Sequence, residues 1–250
     1  VGSEMCIRDR GLMAQLGPLL KPPLDVVLCM KGLEMETGLR LSQIAGQYLP
    51  AAIPVSVWLG PGHVQEFLAG IPNCMVIDSL DEAAKDRLIQ AFRGDLIRFY
   101  YGQDLLGNEV GAAAKNVIGI AAGMLDGLDR TNLKGALMSR GTREVARLIQ
   151  AMGGSQLSAY GLCHLGDYEA TVFSRYSHNR QFGESFIRGE TYTDLAEGYY
   201  TVEALVLLGQ RYGVELPICQ AVHRVLYCGA DPMQELRALL DRNLTREFGE

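Results

Sequence analysis

Over its first hundred residues the chain alternates short apolar runs with amphipathic stretches, and beyond them it settles into long segments of helical period. The runs DVVLCM (25–30), VSVWL (55–59) and NCMVID (73–78) are rich in β-branched and apolar residues and are bounded by Pro or Gly, which predicts strands. Residues 97–100 predict one more, and residues 81–93 repeat apolar positions at helical spacing. Such alternation predicts an α/β layer with a largely parallel sheet. From about residue 104 onward the pattern predicts helices over 110–125, 132–152, 192–212, 218–228 and 232–242. Gly153-Gly154, Gly213 and Gly229 stand where these helices should stop, and Asp231-Pro232 supplies a cap and a first-turn proline. The expected fold is α/β followed by all-α. No Pro/Gly/Ser-rich linker marks residues 101–109, so the two parts are expected to pack closely. Residues 1–10 (VGSEMCIRDR) follow neither period and lack the apolar core of a signal peptide, and they read as a non-native or artefactual leader.

Composition narrows the classes. The 250 residues carry 23 Lys+Arg against 29 Asp+Glu, a net charge of −6, so there is no basic excess to displace counterions from nucleic acid. The longest apolar stretches fall well short of the roughly 20 residues that span a bilayer. Six cysteines are scattered without Cys-x-x-Cys spacing, mostly among apolar neighbours. They read as free thiols in a reducing compartment, the cytoplasm, rather than as disulfides or a metal site.

The stretch GNEVGAAAKNVIGIAAGMLDGL (107–128) carries the most chemistry. Ala114, Val117, Ile118, Ala121 and Leu125 form an apolar stripe at helical spacing, with Lys115 on a neighbouring face beside Gly111, Gly119 and Ala122. Interior glycines cost a helix about 1 kcal/mol each, so Gly111, Gly119 and Gly123 imply close approach by something else. A lysine among small apolar residues is poorly solvated, which lowers its pKa and suits it to proton transfer. The local pattern also fits a lysine snorkelling from a packed helix to the surface.

This stretch resembles the helix that carries the catalytic lysine in NAD(P)-dependent glycerol-3-phosphate dehydrogenases. Four further segments match in order: KGLEMETG (31–38), GPGHVQE (60–66), LGDYEATVFSRYSHNRQFG (165–183), and AEG (196–198) followed by GVELPI (213–218). The resemblance runs from about residue 11 to the last residue. It implies a Rossmann-like nucleotide-binding domain over 11–103, incomplete here, followed by an all-helical substrate-binding domain over 104–250. The implied reaction is reversible hydride transfer between NADH or NADPH and dihydroxyacetone phosphate, giving sn-glycerol 3-phosphate for phospholipid synthesis. In the implied site Lys115 is the general acid/base. Lys31, Gly60, Gly62, Asp167, Ser177, His178 and Asn179 would bind substrate, and Val64, His178, Leu195 and Glu197 would face the cofactor. No metal is implied, and a homodimer fits the family.

Two positions depart from the family pattern. Gly62 stands where Ser or Thr is usual, and His178 stands where arginine is usual, so the bidentate fork for phosphate is missing. Either His178 binds phosphate as imidazolium, or Arg180 or Arg175 takes over. His63 reads as packing or a cap rather than a base. Glu197 equally suits the start of a helix, where a carboxylate faces exposed N–H groups. His164 and His223 read as structural, and Asp126 and Arg140 as ion-pairing residues of the helical part. Two alternatives stay open: a related two-domain dehydrogenase of hydroxy acids or sugar acids, and a noncatalytic interaction module on the same scaffold.

A dinucleotide site needs Gly-x-Gly-x-x-Gly after a strand, so that a helix N-terminus can receive the pyrophosphate. These 250 residues hold no such motif, and the expectation is an N-terminally truncated dehydrogenase. Isothermal titration calorimetry of this chain is expected to detect no micromolar NADH binding, and a micromolar isotherm would overturn that expectation.

Overall fold

The computed structural model describes residues 4–62, 64–242 and 247; His63 and the side chain of Val64 lie outside this description. Among the described residues the strands β1 (Val26–Leu28), β2 (Val55–Leu59), β3 (Asn73–Ser79) and β4 (Ile97–Tyr101) form one sheet in the order β1-β2-β3-β4. The apolar runs therefore become strands close to where the pattern put them.

The sheet is mixed, which corrects the largely parallel expectation. β1 and β2 run parallel, with Val26 opposite Val55, and so do β3 and β4, with Asn73 opposite Ile97. Between them β2 and β3 are antiparallel, with Leu59 opposite Val76. The cause is the length of the connection. Helix α3 (Val64–Leu68) has five residues, about 7.5 Å at 1.5 Å per residue. This short helix does not carry the chain back along the seven-residue strand, and β3 starts at the end where β2 stops. Helix α4 (Glu82–Phe92), with eleven residues and Asp81 as its N-cap, is long enough to return the chain for a parallel pairing.

Helix α2 (Leu41–Tyr48) bridges β1 and β2 and buries Leu41, Ile44 and Ala45 against the sheet. Helix α1 (Glu4–Leu16) packs on it through Met13. No helical period announces α1, yet it runs straight through residue 10. There the Arg10 guanidinium donates to both carboxylate oxygens of Glu34, at 2.7 and 2.9 Å.

The helical part is built around α5 (Leu105–Gly127), capped by Asp104, which accepts from the Gly107 N–H. Around it lie α6 (Lys134–Ala151), α7 (His178–Arg188), α8 (Glu197–Tyr212), α9 (Pro217–Cys228) and α10 (Pro232–Leu240). A single buried stripe was expected on α5. Instead every residue from Gly107 to Leu125 is buried, because the sheet covers its N-terminal end and helices enclose the rest. The region 192–196, expected to be helical, is not, and α8 begins only at Glu197. Helix α7 had no apolar signature; of its residues only Asn179 and Gly183 are buried.

Glycines explain how α5 and α7 come so close. A Cβ on Gly123 would lie 1.9 Å from the Arg180 carbonyl oxygen, and one on Gly183 would lie 2.2 Å from that of Ile120. Backbone cannot yield as a side-chain tip can, so two helices touch through four peptide units where any Cβ would hold them apart. Gly123→Ala is expected to destabilise the protein by about 3 kcal/mol in urea denaturation despite alanine's better helix propensity. Gly135→Ala in α6, where nothing lies within 4 Å, should be neutral or stabilising by up to about 1 kcal/mol.

Candidate active site

Lys31 leaves the carboxyl end of β1 and reaches across the seam between sheet and helices. Its ammonium donates to the Gly60 carbonyl at 3.2 Å and to Asp167 Oδ2 at 2.7 Å. Asp167 lies in a 3₁₀ turn (Leu165–Asp167) that runs into a π-helical turn (Glu169–Phe173). The same Oδ2 sits 3.1 Å from Nζ of Lys115, which also donates to Thr171 Oγ1 at 2.7 Å. Thr171 in turn donates to the Asp167 carbonyl. Two ammonium groups thus share one buried carboxylate oxygen. Two of the three hydrogens on Lys115 are committed, which leaves one for a ligand.

Lys115 is buried, so the snorkelling alternative does not hold. Burial and then the nearby Lys31 charge lower its pKa to about 8, against the opposing pull of Asp167 and Glu197. Gly119 makes the contact possible, because a Cβ there would meet the Thr171 methyl at 2.7 Å. The close approach implied by the interior glycines of α5 is thus the approach of the turn carrying Asp167 and Thr171 and of α7.

These groups face a cavity of about 540 Å³. The sequence-expected residues Lys31, Gly62, Lys115, Asp167, Ser177, His178, Asn179, Leu195 and Glu197 all line it, and the Gly60 carbonyl fixes Lys31 from behind. Gly62 has φ +142°, a conformation that L side chains rarely adopt, and a Cβ there would press on the tip of the Phe67 ring, so a Ser or Thr would be strained in this turn. Ser177 caps α7 by accepting from the Arg180 N–H. Asn179 accepts from the Gly198 N–H at 2.8 Å and ties the start of α8 to α7. Asn116 donates to Glu197 at 2.8 Å, which orients that carboxylate at the cavity wall.

His178 sits at the mouth, 58% exposed. Its Nδ1 lies 2.9 Å from the Tyr192 hydroxyl and 3.8 Å from Asp194. Neither of the two arginines weighed as phosphate anchors lines the cavity. Arg180 donates to Asp126 at 2.6 Å and to Glu184 at 3.0 Å, beside Lys134, which also pairs with Asp126. Arg175 stacks on the Tyr176 ring, with a hydrogen bond to its hydroxyl. Arg140 pairs with Glu247 and His223 with Glu203, as expected of structural residues.

Sequence reasoning missed Cys29, Met30, Asn116, Ala170, Tyr176 and Asp194 in the cavity wall, and Thr171 behind it. Thr171 could have been found, since it stands four residues after Asp167 within the matched motif. Asp194 and Tyr192 could not, because that stretch read as helix. No group of three potential metal ligands occurs among the described residues, and no described helix is long and apolar enough to cross a membrane.

A sheet layer and a helical layer meeting at a buried, low-pKa lysine define an α/β-plus-helical protein with a cavity at its seam. Two family models match this chain: NAD-dependent glycerol-3-phosphate dehydrogenase N-terminus over residues 8–85 and NAD-dependent glycerol-3-phosphate dehydrogenase C-terminus over residues 104–237. The chain belongs to the NAD-dependent glycerol-3-phosphate dehydrogenase family. Glycerol-3-phosphate dehydrogenase [NAD(P)+] of Thermus thermophilus is 42% identical over 200 residues, which is 78% of this chain and 62% of the relative. That of Serratia proteamaculans is 36% identical over 240 residues, 92% of this chain and 71% of the relative. The chain thus spans less than two thirds of the Thermus protein. The crystal structure of glycerol-3-phosphate dehydrogenase from Coxiella burnetii superposes with TM-score 0.87 at 29% identity, covering 94% of this chain and 74% of that one.

Proposed function

We propose that this chain carries the acid/base lysine and the substrate-binding side of an NAD(P)-dependent glycerol-3-phosphate dehydrogenase. The observation that carries the reading is Lys115: a buried ammonium with a pKa near 8, held by Asp167 and Thr171 and facing the cavity that Lys31, Asn179 and Glu197 also line. The substrate pair is dihydroxyacetone phosphate and sn-glycerol 3-phosphate, as the relatives' names suggest. We extend the reading to residues 11–103 as the cofactor side, 104–250 as the substrate side, residues 1–10 as a non-native or artefactual leader, a homodimer, and the cytoplasm, which suits the free cysteines.

The nicotinamide end of a dinucleotide fits this cavity. Leu195 and Met30 offer apolar wall, Glu197 a carboxylate already oriented by Asn116, and the volume falls within the usual range for ligand sites. When bound, the nicotinamide supplies or accepts the hydride. The protein's share is the proton. Lys115 gives a proton to the C2 oxygen during ketone reduction and takes it back during alcohol oxidation. Lys31 places a second positive charge near that oxygen, and Asp167 holds both amines in register. Reduction needs the ammonium form, so its rate falls as pH rises through about 8; oxidation needs the free amine and rises over the same range.

Lys115→Met is expected to lower dihydroxyacetone phosphate reduction, assayed with millimolar NADH, by about 10²-fold or more while thermal unfolding stays near wild type. Retained turnover would overturn the assignment.

Phosphate recognition falls to Lys31, the start of α7 and His178, since Arg175 and Arg180 are engaged elsewhere. An imidazole binds a phosphate well only as imidazolium. His178→Ala is therefore expected to raise KM for dihydroxyacetone phosphate several-fold in steady-state kinetics. An unchanged KM would favour the second reading, a related dehydrogenase of a non-phosphorylated substrate. The observation behind that reading is that neither Arg175 nor Arg180 lines the cavity.

A further inference from the structure

Residues 164–171 present two faces. Asp167 and Thr171 point to Lys115, while His164 and Tyr168 point the other way into the core, both with no solvent exposure. His164 Nδ1 lies 2.8 Å from the Gly111 carbonyl, and Nε2 lies 2.8 Å from the Tyr168 hydroxyl. A carbonyl only accepts, so Nδ1 carries the hydrogen and Nε2 accepts from Tyr168. Gly111 precedes Lys115 by four residues on α5, and its carbonyl is the one that receives the Lys115 backbone N–H. The imidazole therefore grips the helical turn that ends at the lysine.

Packing reinforces the grip. A Cβ on Gly111 would meet that of His164 at 3.0 Å, so glycine is what lets the ring settle against α5. The His164 and Tyr168 rings meet edge to face at 4.9 Å, and Tyr168 reaches Thr142 of α6 at 3.4 Å. The catalytic turn is thereby fastened to α5 and α6 from behind.

We infer that His164 and Tyr168 are positioning residues that hold Asp167 and Thr171 against Lys115, and so set how readily the lysine gives up its proton. The inference rests on Lys115 as the acid/base, but its first readout does not need turnover. Lys115 is faced by Lys31 from the end of β1, Asp167 from the 3₁₀ turn, Glu197 from α8, and His178 and Asp194 at the cavity mouth. Neutral His164 adds no charge to this set, since burial lowers its pKa to about 4. Its influence is on geometry and on the exclusion of water. Loosening the turn admits water to Lys115, which raises its pKa, and draws Asp167 away, which lowers it; because burial is the largest cause of the lysine's lowered pKa, the net shift is upward.

The test measures acetylation of Lys115 by acetic anhydride as a function of pH, read by peptide mass spectrometry on the full chain, with circular dichroism to verify folding. The wild-type midpoint is expected near 8. Tyr168→Phe removes only the hydroxyl and His164→Phe removes both hydrogen bonds; each should raise the midpoint by about 0.5 pH unit or more, roughly a threefold loss of free amine at neutral pH. His164→Gln, whose amide can donate to Gly111 and accept from Tyr168, should restore the wild-type midpoint. An unshifted midpoint in Tyr168→Phe, or an equal shift in His164→Gln and His164→Phe, overturns the inference. Should His164→Phe fail to fold, Tyr168→Phe against wild type decides. Lys115→Met turnover tests the acid/base reading separately, so the two can fail independently.

Discussion

Everything at this site depends on taking one ammonium group out of water without letting it lose its charge altogether. Deep burial alone would strip the proton from Lys115, and a fully paired carboxylate alone would lock the proton on. The structure balances the two by giving Lys115 a share in Asp167 Oδ2, with Lys31 as the other claimant. The outcome is an amine lowered to about 8, close to where proton transfer in either direction is feasible. Burial of this depth is available only because α5 is enclosed on all its faces, and that enclosure needs glycine at the points where α7 and the catalytic turn press in.

Other buried carboxylates join the layers in a similar manner. Glu109 of α5 accepts from the Ser42 N–H at the start of α2, from the Ser42 hydroxyl and from Arg40. One turn earlier on the sheet side, Asp78 at the end of β3 accepts from the Asn108 amide and the Asp104 N–H. Glu144 of α6 accepts from the Ile218 and Cys219 N–H groups and so caps α9. Each satisfies backbone donors that a helix start leaves unpaired or that a strand end would leave buried. The first two fix the N-terminal turns of α5 to the sheet, and Lys115 follows six residues after Glu109.

Strand positions were legible because apolar runs bounded by Pro and Gly have few other readings. Their pairing direction was not, since it is set by the length of the α3 connection and not by the strands themselves. On α5 the apolar stripe could be read, but full enclosure could not, because alanine and glycine fit a surface and an interior alike. Helix α7 was hidden by its polar composition; it packs through the backbone at Gly183 rather than through an apolar face. Lys115, Lys31 and Asp167 were each singled out from motif order, and in the structure the two amines meet at one oxygen of Asp167. That Arg180 turns to Asp126 and Glu184, and that Arg175 stacks on Tyr176 at the cavity wall without lining the cavity itself, was beyond sequence.

The Lys31 contact with Asp167 also links the packing of the two layers to the proton affinity of Lys115. Lys31 comes from the sheet and Asp167 from the helical layer, so the bond is a tie across the seam. The charge of Lys31 is one of the causes that lower the pKa of Lys115. An anion that draws Lys31 toward itself neutralises that charge and frees more of Asp167 for Lys115. An anion held there would make the amine a stronger base, so this one tie across the seam sets the acidity of Lys115.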